Sequence, residues 1–154
     1  MAKLAIEDFK EFRALEGKDL PAGDWLKVTQ EMINDFAKAT LDFQWIHIDV
    51  EKSQKYSPFK KPVAHGFMSL SLLSKLLGDL IKVKSAKMGV NYGLNKVRFP
   101  SPVLVDSQLR LKGNIRQIEN YGENGLKITW NLIVECDQNE KPACVAEFIS
   151  LMFE

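Results

Sequence analysis

The sequence predicts an α+β fold in which one antiparallel sheet wraps around a central helix. Two patterns carry this prediction: a segment between Gly66 and Gly78 that is apolar on most sides of a helix, and alternating hydrophobicity from Met88 onward. A helix with so few polar faces must be enclosed by protein or by lipid. Lipid is excluded by length, because a membrane span needs about 20 apolar residues and Lys75 interrupts the segment. We therefore expect the sheet to enclose the helix.

A short strand and an amphipathic helix are predicted ahead of this central helix. Residues 25–29 alternate like a strand and end at Thr29, a suitable helix N-cap. Apolar side chains then recur at the three-to-four spacing of one buried helical face, at Met32, Ile33, Phe36 and Ala37, until about Thr40. Asp42 is thus expected just beyond the end of a helix.

Four long strands are predicted after the central helix. The alternation changes parity at Asn95-Lys96, which predicts a bulge. The last strand, from Ala143 to Phe153, is apolar on both parities, as in a strand covered on both faces. We expect this sheet to pack on the helix and also on a partner subunit. The order of elements is the layout of a hot-dog fold, although several other α+β arrangements share it. The whole chain, residues 1–154, is expected to form one domain.

Composition and charge exclude several classes of function. The chain has 154 residues, of which 45% are hydrophobic and 27% charged, as in an ordinary globular protein. With 21 basic against 20 acidic residues, it has no overall field to hold a nucleic acid or an anionic membrane. No apolar leader precedes Lys10, so a cytoplasmic location is expected. Cys136 and Cys144 are too few for a disulfide framework, and we expect two reduced thiols.

Both histidines of the chain, His47 and His65, fall within residues 42–74, the segment that also holds the central helix, and His47 follows a carboxylate. Asp42 and His47 are five residues apart, so a regular helix would separate them by about 140°. In an irregular loop the two side chains can face one cleft, share a water and exchange protons with a substrate. An aspartate that caps a helix, with a packed histidine, remains the alternative.

Gly66 opens the central helix. A helix N-terminus presents unpaired N–H groups and partial positive charge, so the Gly66 amide can polarise a carbonyl or hold an oxyanion. The alternative is a glycine that only allows a tight helix start. We interpret the preceding His65 as structural. Ser74, two turns further along, is either a small polar core residue or a side chain that orients Asp42 by a hydrogen bond.

These residues resemble a known family, the MaoC-like (R)-specific enoyl-CoA hydratases. The family motif is an Asp and a His five residues apart, followed by Ala/Val-His-Gly at the start of the hot-dog helix, and this chain has both parts in that order. The segment 91–103, Asn-Tyr-Gly-Leu-Asn-Lys-Val-Arg-Phe-Pro-Ser-Pro-Val, is similar to the nodulation protein N-like branch. The resemblance covers about residues 25–153. One departure is Gln44-Trp45, where many members have Asn-Pro.

The resemblance implies reversible syn hydration of a trans-2-enoyl-CoA to an (R)-3-hydroxyacyl-CoA. Asp42 and His47 would activate water, the Gly66 amide would bind the thioester oxygen, and Ser74 would support Asp42. No metal or other cofactor is implied, since coenzyme A is part of the substrate. The expected partners are an acyl-CoA or acyl carrier protein thioester and a second copy of the chain, in a homodimer or higher homo-oligomer. Candidates for the phosphates of coenzyme A are basic: Lys52, Lys55, Lys60, Lys61 and Arg98.

Two other functions stay open on the sequence. The first is a hot-dog acyl-CoA thioesterase, and such enzymes commonly carry their working acid on the central helix. Between Gly66 and Gly78 there is no Asp or Glu, and the first carboxylate is Asp79. The second is a non-catalytic dimeric module that binds acyl thioesters. Convergence of Asp42, His47 and Gly66 on one point would favour the enzyme.

Overall fold

Seven strands and six helices form the chain, and the computed structural model describes all of residues 1–154. In chain order they are β1 (Leu4–Ile6), α1 (Phe9–Arg13), β2 (Leu26–Lys27), α2 (Gln30–Thr40), α3 (Trp45–Ile48), α4 (Val50–Tyr56), α5 (Gly66–Ser71), α6 (Leu73–Leu80), β3 (Ile81–Val83), β4 (Met88–Arg98), β5 (Gln108–Tyr121), β6 (Gly125–Cys136) and β7 (Cys144–Phe153). The α+β prediction is confirmed. The short strand at residues 25–29, the helix after it and the four long strands are all present.

The main sheet has five strands in the order β2-β5-β6-β7-β4, and every neighbouring pair is antiparallel. It curls over α5 and α6, which contact β7 and β5 respectively. A separate parallel pair, β1 with β3, ties the N-terminus to the end of α6. The sequence did not predict β1 or β3, because three residues are too few to show an alternating pattern.

The helix α2 begins and ends as its sequence predicts. The Thr29 hydroxyl accepts a hydrogen bond from the Met32 amide at 3.2 Å, which caps the first turn. Ile33 and Ala37 are fully buried on one face. At the other end Leu41 adopts a left-handed conformation with φ of 61°, which stops the helix. Asp42 therefore lies in non-helical backbone immediately after α2.

The central helix starts at Gly66, as predicted, and a local break at Leu72 divides it into α5 and α6. One side is buried against the sheet, at Met68, Leu73, Leu76, Leu77 and Leu80. Phe67 on the other side is 69% exposed, so the prediction of full enclosure is wrong for the single chain. On this side the Phe67 ring meets the Phe99 ring edge to face, with the centroids 6.0 Å apart. Further along the helix, β4 lies at the sheet edge and leaves a groove.

The last two predicted features of the sheet differ in outcome. The pairing of β4 with β7 shifts register between Leu94 and Lys96, which confirms the bulge. In β7, Ala146 and Phe148 are buried, whereas Val145 is 39% exposed. Within one chain the face of β7 that carries Val145 is therefore less covered than the face toward the helices, although Leu151 on the same face as Val145 is buried. Coverage of the other face by a partner subunit stays a prediction.

The core between sheet and helix is closed by a tryptophan. Trp130 is fully buried, lies 6.0 Å from the ring of Phe12 and donates from Nε1 to the Ser150 hydroxyl at 2.8 Å. Cys136 and Cys144 are also buried here, and both are free thiols, as expected. Burial raises the pKa of Cys144 to about 11, so this thiol stays protonated and unreactive at neutral pH.

A glycine in β5 provides the test of the strand packing. A Cβ at Gly113, whose φ is +156°, would lie 2.1 Å from the backbone oxygen of Asn131 on β6. Because backbone cannot move aside as a side chain can, we expect Gly113→Ala to lower the free energy of unfolding by about 3 kcal/mol. The matched control is Gly93→Ala in β4, where a Cβ meets nothing within 4 Å. Urea unfolding of both variants measures the difference, and equal stabilities would contradict the described pairing.

Candidate active site

The segment after α2 is irregular where the cooperation of Asp42 and His47 requires it. Residues 42–44 are not helical, and the Gln44 amide donates to the Asp42 carboxylate at 3.3 Å. Gln44 then occupies the N-cap position of the one-turn helix α3, without a capping hydrogen bond from its side chain, and α3 carries His47. Trp45, the departure from the family pattern, lies beneath the Lys52 ammonium group, 5.1 Å from it. The sequence therefore places Asp42 in a bend and His47 on a fixed turn.

His47 is buried, and its hydrogen bond assigns its protons. Nδ1 lies 2.5 Å from the carbonyl oxygen of Val63. Because a carbonyl only accepts, Nδ1 carries the hydrogen and Nε2 keeps the lone pair. The backbone of the same residue is held from the other side, since Gln30 on α2 donates to the His47 carbonyl at 2.8 Å. The lone pair that a general base needs is thus on Nε2.

His65 lies in the same cluster, although the sequence indicated a structural role for it. Its ring stacks on His47 with the centroids 3.7 Å apart and the planes inclined by 23°. Its Nε2 lies 3.0 Å from the carbonyl oxygen of Asp42 and 3.8 Å from the carboxylate of the same residue. Sequence reasoning missed this contact because the stack joins residues 18 positions apart that share no motif spacing.

The cluster has buried imidazoles below and a carboxylate at its mouth. The side chain of Asp42 is 52% exposed, whereas both histidines are buried. One polar atom from each of Asp42, His47 and His65 lies within 4.8 Å of the other two. Two of the four ring nitrogens carry hydrogens that face backbone carbonyls, so they have no lone pair to offer a metal. The arrangement suits the transfer of protons through a shared water.

Burial is the main influence on the charge of His47. Desolvation lowers the pKa of His47 below its ordinary value of 6.5, and the carbonyl of Val63 partly opposes this effect. Repulsion from His65 lowers the pKa further, and attraction to Asp42 raises it. Since the net pKa lies below 6.5, the imidazole is neutral at neutral pH and can accept a proton.

Gly66 follows His65 directly and is the first residue of α5. Its amide therefore has no acceptor within the helix, and it takes part in none of the hydrogen bonds of the turns and caps. A Cβ at this position would lie 3.1 Å from the ring of Phe99, which covers the helix start. The structure thus places a free N–H one residue from the histidine pair.

Ser74 lies elsewhere than the sequence predicted. Its hydroxyl donates to the side-chain oxygen of Asn91 on β4 at 3.2 Å, not to Asp42. Two turns of helix separate it from Gly66, about 12 Å at 1.5 Å per residue, and this turn faces the edge strand. Ser74 and Asn91 line two adjoining cavities of about 350 and 260 Å³ between the helix and β4. Both cavities belong to the groove that the edge strand leaves open.

The fold and the cluster together define a hot-dog protein that carries an Asp–His pair at the start of its central helix. Residues 11–135 match the MaoC like domain family. The chain belongs to this family, and the resemblance seen in the sequence is confirmed.

Individual relatives agree with this assignment. The chain is 43% identical over 144 residues to 3-hydroxyacyl-thioester dehydratase Z of Mycobacterium tuberculosis, covering 94% of this chain and 95% of that one. It is 37% identical over 137 residues to nodulation protein N of Rhizobium leguminosarum, covering 88% and 85%. The R-hydratase of Pseudomonas aeruginosa superimposes with a TM-score of 0.67 at 17% identity, covering 90% and 81%, which shows the shared fold.

None of the helices has the length and apolar character needed to span a membrane.

The lowered pKa of His47 makes stability depend on pH in a defined window. At pH values below 6.5, His47 binds a proton in the unfolded chain, whereas in the folded chain it binds one only at a lower pH. We therefore expect the free energy of unfolding to fall as the pH drops from 6.5 toward the folded pKa. The shifted carboxylates, with ordinary pKa values of 4.5 and 3.8, act only at lower pH. Urea unfolding across this range measures the slope, and His47→Gln should flatten it.

Proposed function

We propose that this protein is an (R)-specific enoyl-CoA hydratase, which adds water reversibly to a trans-2-enoyl thioester. The observation that carries the proposal is the cluster itself: an accessible carboxylate, a neutral imidazole with a free Nε2, and a free helix N-terminal amide beside them. Membership of the MaoC-like family supports it, as does the name of the thioester dehydratase relative. The reaction runs in either direction, so the hydratase and dehydratase names describe one equilibrium.

The mechanism follows from the hydrogen positions in the cluster. A water held between the Asp42 carboxylate and His47 Nε2 gives a proton to this pair, and its oxygen forms the bond to C3. The electrons of the double bond move onto the thioester oxygen, where the Gly66 amide stabilises the enolate charge. The enolate then accepts this proton at C2 from the Asp42–His47 pair, and the thioester carbonyl forms again. No net proton is gained or lost, and the step needs neither a metal nor a redox cofactor.

The groove beside the central helix provides a place for the acyl chain. Leu70, Leu73 and Leu77 follow Gly66 at three-to-four spacing, and each lines one of the two cavities. A thioester whose oxygen lies on the Gly66 amide can therefore extend its apolar tail along the same helical face. In this arrangement Ser74 and Asn91 form a polar contact along the groove, and Ser74 supports the acyl site.

The segment between the two histidines offers cationic groups for coenzyme A or for the phosphopantetheine of a carrier protein. Lys52, Lys55, Lys60 and Lys61 fall within ten residues, and none forms an ion pair with an acid. The nearest internal contact is the bond from the Lys60 ammonium to the Lys55 carbonyl at 3.3 Å. These charges are therefore free to bind phosphate oxygens.

A second copy of the chain is expected along β4. This edge strand exposes apolar side chains, with Tyr92 at 55%, and its outer backbone groups have no strand partner. Natural proteins seldom leave a long apolar edge open. Pairing of β4 with its counterpart in a second copy would continue the sheet and close the groove. We propose a homodimer built on this edge.

The thioesterase alternative is weaker in the structure than in the sequence. Asp79, the first carboxylate after Gly66, is held by the Lys75 ammonium at 2.5 Å and lies near the far end of α6. It is about 13 residues from the Gly66 amide, or about 20 Å along the helix. A carboxylate at that distance cannot activate water for attack on a carbonyl held at the helix start.

Substitution of the proton-transfer pair tests the proposal. We expect Asp42→Asn and His47→Gln each to lower the rate of crotonyl-CoA hydration by about 100-fold to 10,000-fold, because each removes a proton acceptor. The melting temperature should change little for Asp42→Asn, whose carboxylate is half exposed. The loss of enoyl thioester ultraviolet absorbance follows the reaction.

The matched control is Asp49→Asn, two residues after His47. The Asp49 carboxylate accepts from the Lys52 amide at 2.9 Å and caps α4, away from the cluster. Asparagine caps a helix equally well, so this variant should retain full turnover. Near-normal activity in Asp42→Asn would overturn the assigned chemistry. Binding of acyl-CoA without turnover in the unaltered protein would favour the non-catalytic module.

Charges on the edge strand test the dimer. Val90 and Leu94 are both exposed on β4, so lysines at both positions should leave the fold intact and repel across the paired edges. We expect the unaltered chain to sediment as a dimer and the double variant as a monomer. Glu123→Lys, an exposed change in the turn between β5 and β6, serves as the control. A monomeric unaltered chain would contradict the pairing.

A further inference from the structure

His65 is a buried histidine whose hydrogen bonding is incomplete. It is 4% exposed, and its Nδ1 has no hydrogen-bond partner. Leaving a buried polar atom unpaired costs about 1–3 kcal/mol. An aromatic side chain without nitrogens would fill the same space beside Phe36, whose ring lies 5.0 Å away, without this cost. Packing alone therefore does not account for a histidine here.

The other ring nitrogen makes the contact that a phenylalanine cannot make. Nε2 lies 3.0 Å from the carbonyl oxygen of Asp42, and since a carbonyl only accepts, Nε2 must carry the hydrogen. This hydrogen bond holds the backbone of Asp42 at the point where the chain leaves α2. Few other contacts hold this residue: the carboxylate accepts only from the Gln44 amide, at a long 3.3 Å. The bond from His65 is thus the principal constraint on where the Asp42 carboxylate lies.

The ring of His65 also fixes the orientation of His47. The two imidazoles are stacked at 3.7 Å, and His47 is held at its edge by the Val63 carbonyl. One contact fixes the direction of the ring edge and the other fixes its plane. The ionisable groups that face His47 are His65 and Asp42.

We propose that His65 is a positioning residue, which holds the backbone of Asp42 through Nε2–H and the plane of His47 by stacking. This proposal rests on the proposed hydratase function. It assigns a positioning role in catalysis to the buried histidine of the Ala64-His65-Gly66 sequence. His65 contacts both members of the proton-transfer pair and directly precedes Gly66 in the chain. One side chain therefore positions Asp42 and His47 relative to the helix start.

Three substitutions separate the two contacts of His65 from its packing. His65→Phe keeps a flat ring against His47 and removes the donor, whereas His65→Gln keeps an N–H close to the Nε2 position and removes the ring. Phe36→Leu is the control, because it changes the ring that packs on His65 and leaves in place the groups of His65 that contact Asp42 and His47. Steady-state hydration of crotonyl-CoA is measured for each variant, well below its melting temperature, with kcat and KM determined separately.

We expect His65→Phe to lower kcat about 100-fold with KM changed less than about threefold, since a misplaced reacting group costs rate and not substrate binding. His65→Gln should recover about tenfold of that loss. Phe36→Leu should stay within about threefold of the unaltered protein. Turnover in His65→Phe within about threefold of normal, or an equal loss in Phe36→Leu, would overturn the proposal.

Nitrogen NMR of the histidine rings tests the geometry independently of turnover. The chain has only two histidines, so long-range proton–nitrogen spectra of the labelled protein resolve each ring. We expect the Nε2–H tautomer for His65 and the Nδ1–H tautomer for His47. A Nδ1–H tautomer at His65 would remove the bond to Asp42 and overturn the proposal. If the unaltered protein shows no turnover, both the proposed function and the role of His65 are wrong. If the unaltered protein and His65→Phe both hydrate crotonyl-CoA at the normal rate, only the role of His65 is wrong.

Discussion

The hydrogen bond from His47 Nδ1 to the carbonyl of Val63 joins the two parts of the chain on which the site depends. One part is the bend and single turn after α2, and the other is the extended residues that lead into α5. Both are too short to hold a conformation alone. The bond fixes the tautomer of the imidazole, and burial beneath the stacked His65 keeps the ring neutral. Protonation state and position therefore have one structural origin.

An open groove runs along the central helix, which begins directly after His65 of this cluster. Because β4 pairs only with β7, the sheet covers one side of the central helix and leaves the other accessible along most of its length. The helix start brings the Gly66 amide to the cluster, and the apolar turns that follow line the cavities. The cluster at the helix N-terminus and the apolar groove along the helix flank thus lie on one central helix.

Features that depend on local period or on short motifs were predictable from the sequence. The Thr29 cap, the bulge between Leu94 and Lys96 and the helix start at Gly66 each follow from a few neighbouring residues. Contacts across the fold were not predictable in this way. The stack of His47 on His65 and the pairing of Ser74 with Asn91 depend on how the sheet curls. Full enclosure of the helix was expected because hydrophobic pattern does not distinguish cover by this chain from cover by a partner.

In the proposed reaction the water and the proton reach the substrate from one side, because Asp42 and His47 lie in a single cluster. The most direct test is the hydration of crotonyl-CoA in deuterium oxide, with the relative configuration of the product at C2 and C3 determined by proton NMR. We expect an (R) hydroxyl at C3, with deuterium added to the same face at C2. Deuterium on the opposite face, or an equal mixture of the two configurations, would contradict it.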